Sequence, residues 1–129
     1  MTVDFSDARV HTILDALPSM WVALSSTLPS NAGNGSNITE PGVAEYVRPS
    51  LSLAAASSRQ RVSNALLDFV SGGAVATNSA GNFGFYAVMT ASSGGVMVCR
   101  GRLSAPIAWF AGVNIRIASG NLTIRLPGV

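Results

Sequence analysis

The sequence contains no lysine, one cysteine and one histidine. Each scarcity closes a class of chemistry. Without lysine there is no Walker-type phosphate loop, and Gly94-Gly95 leads into Val96 rather than a basic residue. A lone Cys99 leaves no disulfide framework. A zinc site needs several Cys or His ligands, which His11 and Cys99 alone do not supply. A Cys/His nucleophilic pair would need these two in contact with an orienting third group. His11 reads instead as a partly exposed helix residue, and Cys99 as a small hydrophobe inside a strand. No catalytic residue, cofactor or metal ligand is expected.

Charge is also scarce. Charged residues make up 11% and apolar residues 48% of the 129 residues, against roughly a quarter charged in ordinary domains. Such a chain is too hydrophobic for disorder. Its apolar runs are broken by Ser, Gly, Asn or Pro, so no membrane span is expected. Asp4 and Asp7 precede the first basic residue, unlike a signal peptide. The pI of 9.3 sits on a net charge of only +2. The basic groups are all Arg and lie scattered, so no basic stripe marks a nucleic-acid partner. Arg without Lys suits protein interfaces, where a planar fork is desolvated more easily than an ammonium; a coding bias toward Arg gives the same pattern. The candidate interface residues are Arg48, Arg59, Arg61, Trp109 and Phe110.

The length predicts one domain, residues 1–129. Ser6 can cap a helix over about 7–17, with Val10, Ile13, Leu14 and Leu17 on one face and Pro18 as its stop. Met20 to Leu24 is a short apolar run, read as a buried strand. Residues 25–43 form a long loop, of a length that is usually functional or held by a neighbour. Strands are expected over 45–53, where Pro49 suggests an edge, and over 61–70, with both faces apolar. Further strands are expected over 82–91 and 96–103, joined by a hairpin at 92–95. Ile107 to Gly112 is a separate apolar segment. Ser119-Gly120 is expected to join strands 113–118 and 121–126 as a tight hairpin. The pattern predicts an all-β fold, an antiparallel β-sandwich or jelly-roll-like barrel with one short N-terminal helix.

Of the carboxylates, Asp4, Asp7 and Asp15 lie at the helix. Asp68 lies inside an apolar strand and is expected to form a buried ion pair with an Arg. An acid/base pair would need Asp68 beside Glu40 or Glu45 in an open pocket. Asn34-Gly-Ser, Asn37-Ile-Thr and Asn121-Leu-Thr match the glycosylation pattern, which abundant Asn, Ser and Thr produce by chance.

Several motifs follow one another in a fixed order. They are Trp21-Val-Ala-Leu24, Glu45-Tyr-Val-Arg48, Ala54-Ala-Ala56, Asn64, Phe83-Gly-Phe-Tyr86, Gly94-Gly95, Gly101-Arg-Leu-Ser-Ala-Pro106 and Gly120-Asn-Leu-Thr-Ile124. Their order resembles that of small virion structural proteins of tailed bacteriophages, over about residues 20–126. Ser25-Ser-Thr-Leu-Pro29 and Val113-Asn114 depart from that pattern. The resemblance implies a non-enzymatic structural role in the virion. Its first form is a capsid decoration (cement) protein, bound to the major capsid protein and to copies of itself, a trimer among the options. The alternative is a tail, baseplate or fibre component with tail proteins as partners. Either way it would be made in the host bacterial cytoplasm, with no nucleic-acid or membrane partner. The candidate contact elements are the 25–43 loop, the helix and Trp109-Phe110. A carbohydrate-binding β-sandwich exposing Trp21, Tyr86 or Trp109 is the reading from a different class.

Overall fold

The computed structural model describes residues 5–30 and 37–126. Asp4, residues 31–36 of the long loop and the Asn34-Gly-Ser pattern lie outside them. The fold is all-β and antiparallel, with one short α-helix at its N-terminal end among the described residues. The chain groups into two compact units, each built from separated segments.

The first unit comprises Met1–Pro18, Ser52–Leu66 and Ile117–Val129. Its helix α1 is Asp7–Asp15. The Ser6 hydroxyl accepts the Arg9 N–H at 3.3 Å, and Asp7 lies at the positive end of the dipole. Val10 and Leu14, one turn apart, are buried, while Ile13 stays partly exposed. The helix stops two residues before the expected Leu17. The Ala16 N–H donates to the Thr12 carbonyl at 3.1 Å and the Leu17 N–H to the Leu14 carbonyl at 3.3 Å, and a residue preceding proline avoids the α conformation. Strand β3 (Gln60–Val62) pairs with β8 (Thr123–Arg125), setting Arg61 opposite Ile124. The buried Ser63 hydroxyl accepts the N–H groups of Gly120 at 3.2 Å and Leu122 at 3.3 Å.

The expected hairpin at Ser119-Gly120 is a turn without a hairpin. Asn121 donates to the Ala118 carbonyl at 3.1 Å. Only Gly120 of the pair has positive φ, at 87°, whereas a type I′ connection needs it at both positions and a II′ turn at the first. The flanking strands therefore splay. Thr123–Arg125 goes to β3, and β7 (Arg116–Ile117) goes to β4 (Leu67–Asp68).

The second unit comprises Ser19–Leu51 and Leu67–Arg116. Its sheet runs β2 (Ser50–Leu51), β1 (Met20–Ser25), β5 (Gly81–Met89), β6 (Met97–Trp109). The apolar run at Met20 is an interior strand buried on both faces, as expected, with Trp21 opposite Met89 and Ala23 opposite Ala87. Met97 and Ile38 pack on the cluster of Ala23, Ala87 and Met89. The 107–112 segment is not separate. Strand β6 continues for 13 residues through Pro106 to Trp109. It tolerates Pro106 because it is an edge strand, whose outer N–H positions need no partner. Opposite it, Gly84 alone faces the four residues 103–106, so β6 bows away in a large bulge.

The expected strands at 45–53 and 61–70 break into short pieces. Pro49 cannot donate to a ladder, and pairing there reduces to Ser50–Leu51 and isolated bridges of Tyr46 with Val70 and Leu53 with Ser63. Within 61–70 the apolar residues do not share one strand: Leu67, Phe69 and Val70 are buried, while Leu66 is half exposed. The loop leaving β1 is laced at its base. The buried Ser25 hydroxyl accepts the N–H groups of Thr27 at 3.2 Å and Thr39 at 3.0 Å. Asn37 accepts the Ser30 N–H at 2.9 Å.

Gly101 lies directly opposite Tyr86 across β5 and β6. The tyrosine ring covers it so closely that a Cβ there would overlap ring carbons and the hydroxyl. Gly101→Ala is therefore expected to cost about 1–3 kcal/mol, as overpacking does. Urea unfolding measures this; in a Tyr86→Ala background the same change should cost far less.

Candidate functional site

The most connected polar group of the second unit starts from an alternation. In an extended segment, residues two apart share a side. Tyr46 and Arg48 share one, and Glu45 and Val47 the other. Arg48 meets Glu40 in a bidentate pair, Nε to Oε1 at 2.7 Å and Nη2 to Oε2 at 2.9 Å. The Arg48 side chain is 6% exposed and that of Glu40 26%. The Tyr46 hydroxyl donates to Glu40 Oε1 at 2.6 Å and accepts the Leu24 N–H of β1 at 3.3 Å. The remaining fork nitrogen, Nη1, donates to the carbonyls of Ala91 at 3.0 Å and Gly94 at 2.8 Å. These belong to the β5–β6 turn, where Gly94 and Gly95 have φ of 63° and 79°. Beside the network opens a pocket of about 450 Å³, lined by Glu40, Tyr46, Val47, Arg48, Ser92, Ser93 and Gly94.

The protonation states are fixed by these contacts. Burial would push the Glu40 carboxyl up. The Arg48 hydrogen bonds, the Tyr46 hydroxyl and the Arg48 charge together hold it below its ordinary value. Burial first, then the hydrogen bond to Glu40, raises Tyr46 far above the usual phenol range. On the other side of the segment, Glu45 accepts from the Thr77 hydroxyl at 2.7 Å, the Thr77 N–H at 2.9 and 3.0 Å, and the Asn78 N–H at 3.0 Å. The Thr77 hydroxyl and then its N–H lead in lowering Glu45 to about 2. The Trp109 indole N–H pulls the same way, although it makes no hydrogen bond of ordinary geometry.

This arrangement suits holding loops rather than moving protons. Glu40 stays ionised, Tyr46 stays protonated, and burial pushes the Cys99 thiol up to about 11. Among the described residues no three His, Cys, Asp or Glu converge as metal ligands. Glu40, Glu45 and Asp68 each engage a separate partner: Arg48, Thr77 and Arg116.

Asp68 does form its ion pair, with Arg116 at 3.0 Å, but the pair is not buried. Its side chains are 19% and 38% exposed, so solvent screens it to about 1 kcal/mol or less. Trp109 is no contact residue. It is wholly buried, edge-on to Tyr46 at 5.8 Å and Phe83 at 6.4 Å. It is the largest of the fully buried side chains among the described residues. Phe110, the next residue, is 49% exposed. It closes a turn with Val113, fastened through the Ala76 backbone at 2.9 and 2.6 Å. Val75, Phe110 and Val113 thus leave an apolar group open to solvent.

Arg48 is spent inside the network just described. Arg59 and Arg61 staple the helix of the first unit. Arg59 donates to Asp7 at 2.8 Å and the Phe5 carbonyl at 3.0 Å. Arg61 donates to the carbonyls of Ala54, Leu53 and Leu14. His11 Nε2 accepts the Arg59 backbone N–H at 3.0 Å. Sequence reasoning missed Glu40 and Tyr46 as Arg48's partners. The Tyr-x-Arg spacing signals the latter, while nothing local marks Glu40, which arrives from a loop.

Two variants test these assignments. Glu40→Gln leaves Arg48 largely buried without its counter-charge and is expected to cost about 2–4 kcal/mol, read by chemical denaturation. For Glu45 the folded pKa lies below the ordinary value of 4.5, so its stabilisation is complete above that pH. It is lost as pH falls from about 4.5 to about 2. Melting temperature followed over that range should fall less steeply in Glu45→Gln than in the parent.

Residues 9–125 fit the model of the family described as podophage GP4 fiber I protein gp80. No curated protein matches the chain. A match over nearly its whole length shows that this chain belongs to that family of phage virion structural proteins.

Proposed function

We propose that this protein is a fibre component of a podophage tail, working by assembly with other virion proteins and copies of itself rather than by catalysis. The observation that carries this reading is the family match over residues 9–125. Because that family is described by a fibre, tail placement ranks ahead of the capsid-decoration role and of the major capsid protein as partner. The chemistry agrees. The ionisable groups of the Arg48 network are locked in single protonation states, which suits a scaffold and not a turnover cycle. A charge-poor surface also carries exposed Val75, Phe110 and Val113, the kind of apolar group that assembly covers.

Quantitative mass spectrometry of purified particles tests the placement. A copy number far below that of the major capsid protein is expected; equality with it would restore the decoration reading, and absence would remove the protein from the virion. Phe110→Asp combined with Val113→Asp should abolish incorporation while moving the free protein's stability by less than about 0.5 kcal/mol, as exposed substitutions do. Normal incorporation of that variant would exclude this apolar group as the contact.

A further inference from the structure

Two of the sequence motifs, Phe83-Gly-Phe-Tyr86 and Gly101-Arg-Leu-Ser-Ala-Pro106, come together at the β5–β6 bulge. There Gly84 faces residues 103–106, and the gap between the strands is a pocket of about 300 Å³. Gly84, Phe85, Arg102, Leu103, Ser104 and Pro106 line it. No acidic side chain is among them. A Cβ at Gly84 would meet nothing within 4 Å, so the space above it is open, and its φ is not in the left-handed region.

Arg102 is the charged side chain of this pocket. It is exposed, and its guanidinium lies 5.2 Å from the centroid of the Phe85 ring. Five other arginines donate to backbone carbonyls, as Arg48, Arg59, Arg61, Arg100 and Arg116 do. The Arg102 guanidinium forms no hydrogen bond or ion pair with any described residue. An arginine steadied on an aromatic face keeps its planar fork free for a bidentate acceptor.

We infer that the bulge pocket is a binding site for a carboxylated sugar, with Arg102 clamping the carboxylate. The charge complementarity is specific, because the lining offers one cation and no anion. Phe85, Leu103 and Pro106 supply the apolar faces on which the C–H side of a pyranose packs, and Ser104 supplies a hydroxyl for its ring substituents. The size, at the low end of ligand pockets, matches a single sugar ring. A pit walled by a bulge suits a terminal residue of a glycan better than an extended peptide, which needs a groove. This inference stands on the geometry of the bulge and not on the fibre reading.

Nitrogen-15 NMR titration of the 129-residue chain tests it, with glucuronate, glucose and a glutamate-containing tripeptide as probes. Glucuronate should shift the amides of Gly84, Phe85 and residues 102–104 saturably, and glucose should not. Arg102→Gln should weaken glucuronate binding roughly ten-fold or more, the loss of a charge-assisted pair. Gly84→Leu should block the pocket without strain, with unchanged amide dispersion showing that the fold is kept. No shifts with glucuronate, equal binding of glucose, equal binding of the tripeptide, or glucuronate binding that survives both substitutions would each overturn the proposal.

Discussion

The guanidinium of Arg48 is the constraint on which the second unit depends. One planar group fastens the carboxylate of Glu40, arriving from the loop after β1, and two carbonyls of the β5–β6 turn. Through Glu40 it also fixes the Tyr46 hydroxyl, and through that the backbone of β1. Lysine could not replace it, because an ammonium has no fork to serve a carboxylate and two carbonyls in one plane. The burial of this charge is tolerable because every N–H it carries toward the network has an acceptor.

The same use of arginine recurs, and it explains the composition. Short strands leave many carbonyls without a ladder partner, and the forked donors of arginine can reach them. Arg48, Arg59, Arg61, Arg100 and Arg116 all donate to backbone carbonyls, those of Gly94, Phe5, Ala54, Pro29 and Gly73 among them. Arginine without lysine reads in the sequence as interface chemistry. In the folded chain it replaces missing sheet hydrogen bonds. The property that suits arginine to interfaces, weak hydration with directed donors, suits it equally to irregular backbone.

Legibility in the sequence followed locality. The Ser6 cap, the Met20–Leu24 strand and the Gly94-Gly95 turn were readable because each depends on residues within one turn or one strand. The pairing of β3 with β8 was not, since alternation in Asn121 to Leu126 fits any partner strand. The Asp68 pair was legible as a pairing, but its exposure depends on where Arg116 lies, 48 residues away. Trp109 and Phe110 are neighbours of like chemistry with opposite fates, one enclosed and one open. The extent of β6, which runs past the expected end at residue 103 to Trp109, decided between them.

The order of the segments has a consequence for how the chain is made. The second unit is complete once residues through Arg116 exist, and its sheet closes within residues 20–109. The first unit draws on both flanks of it: α1 precedes it, β3 lies midway, and β8, the strand that pairs with β3 among the described residues, follows it. During synthesis β3 therefore emerges about 60 residues before the strand it pairs with, a long-range pairing of the kind that forms late. The ribosome delivers β3 before the second segment of the second unit and Thr123–Arg125 after it, so the β3–β8 pairing must wait until that segment has been made.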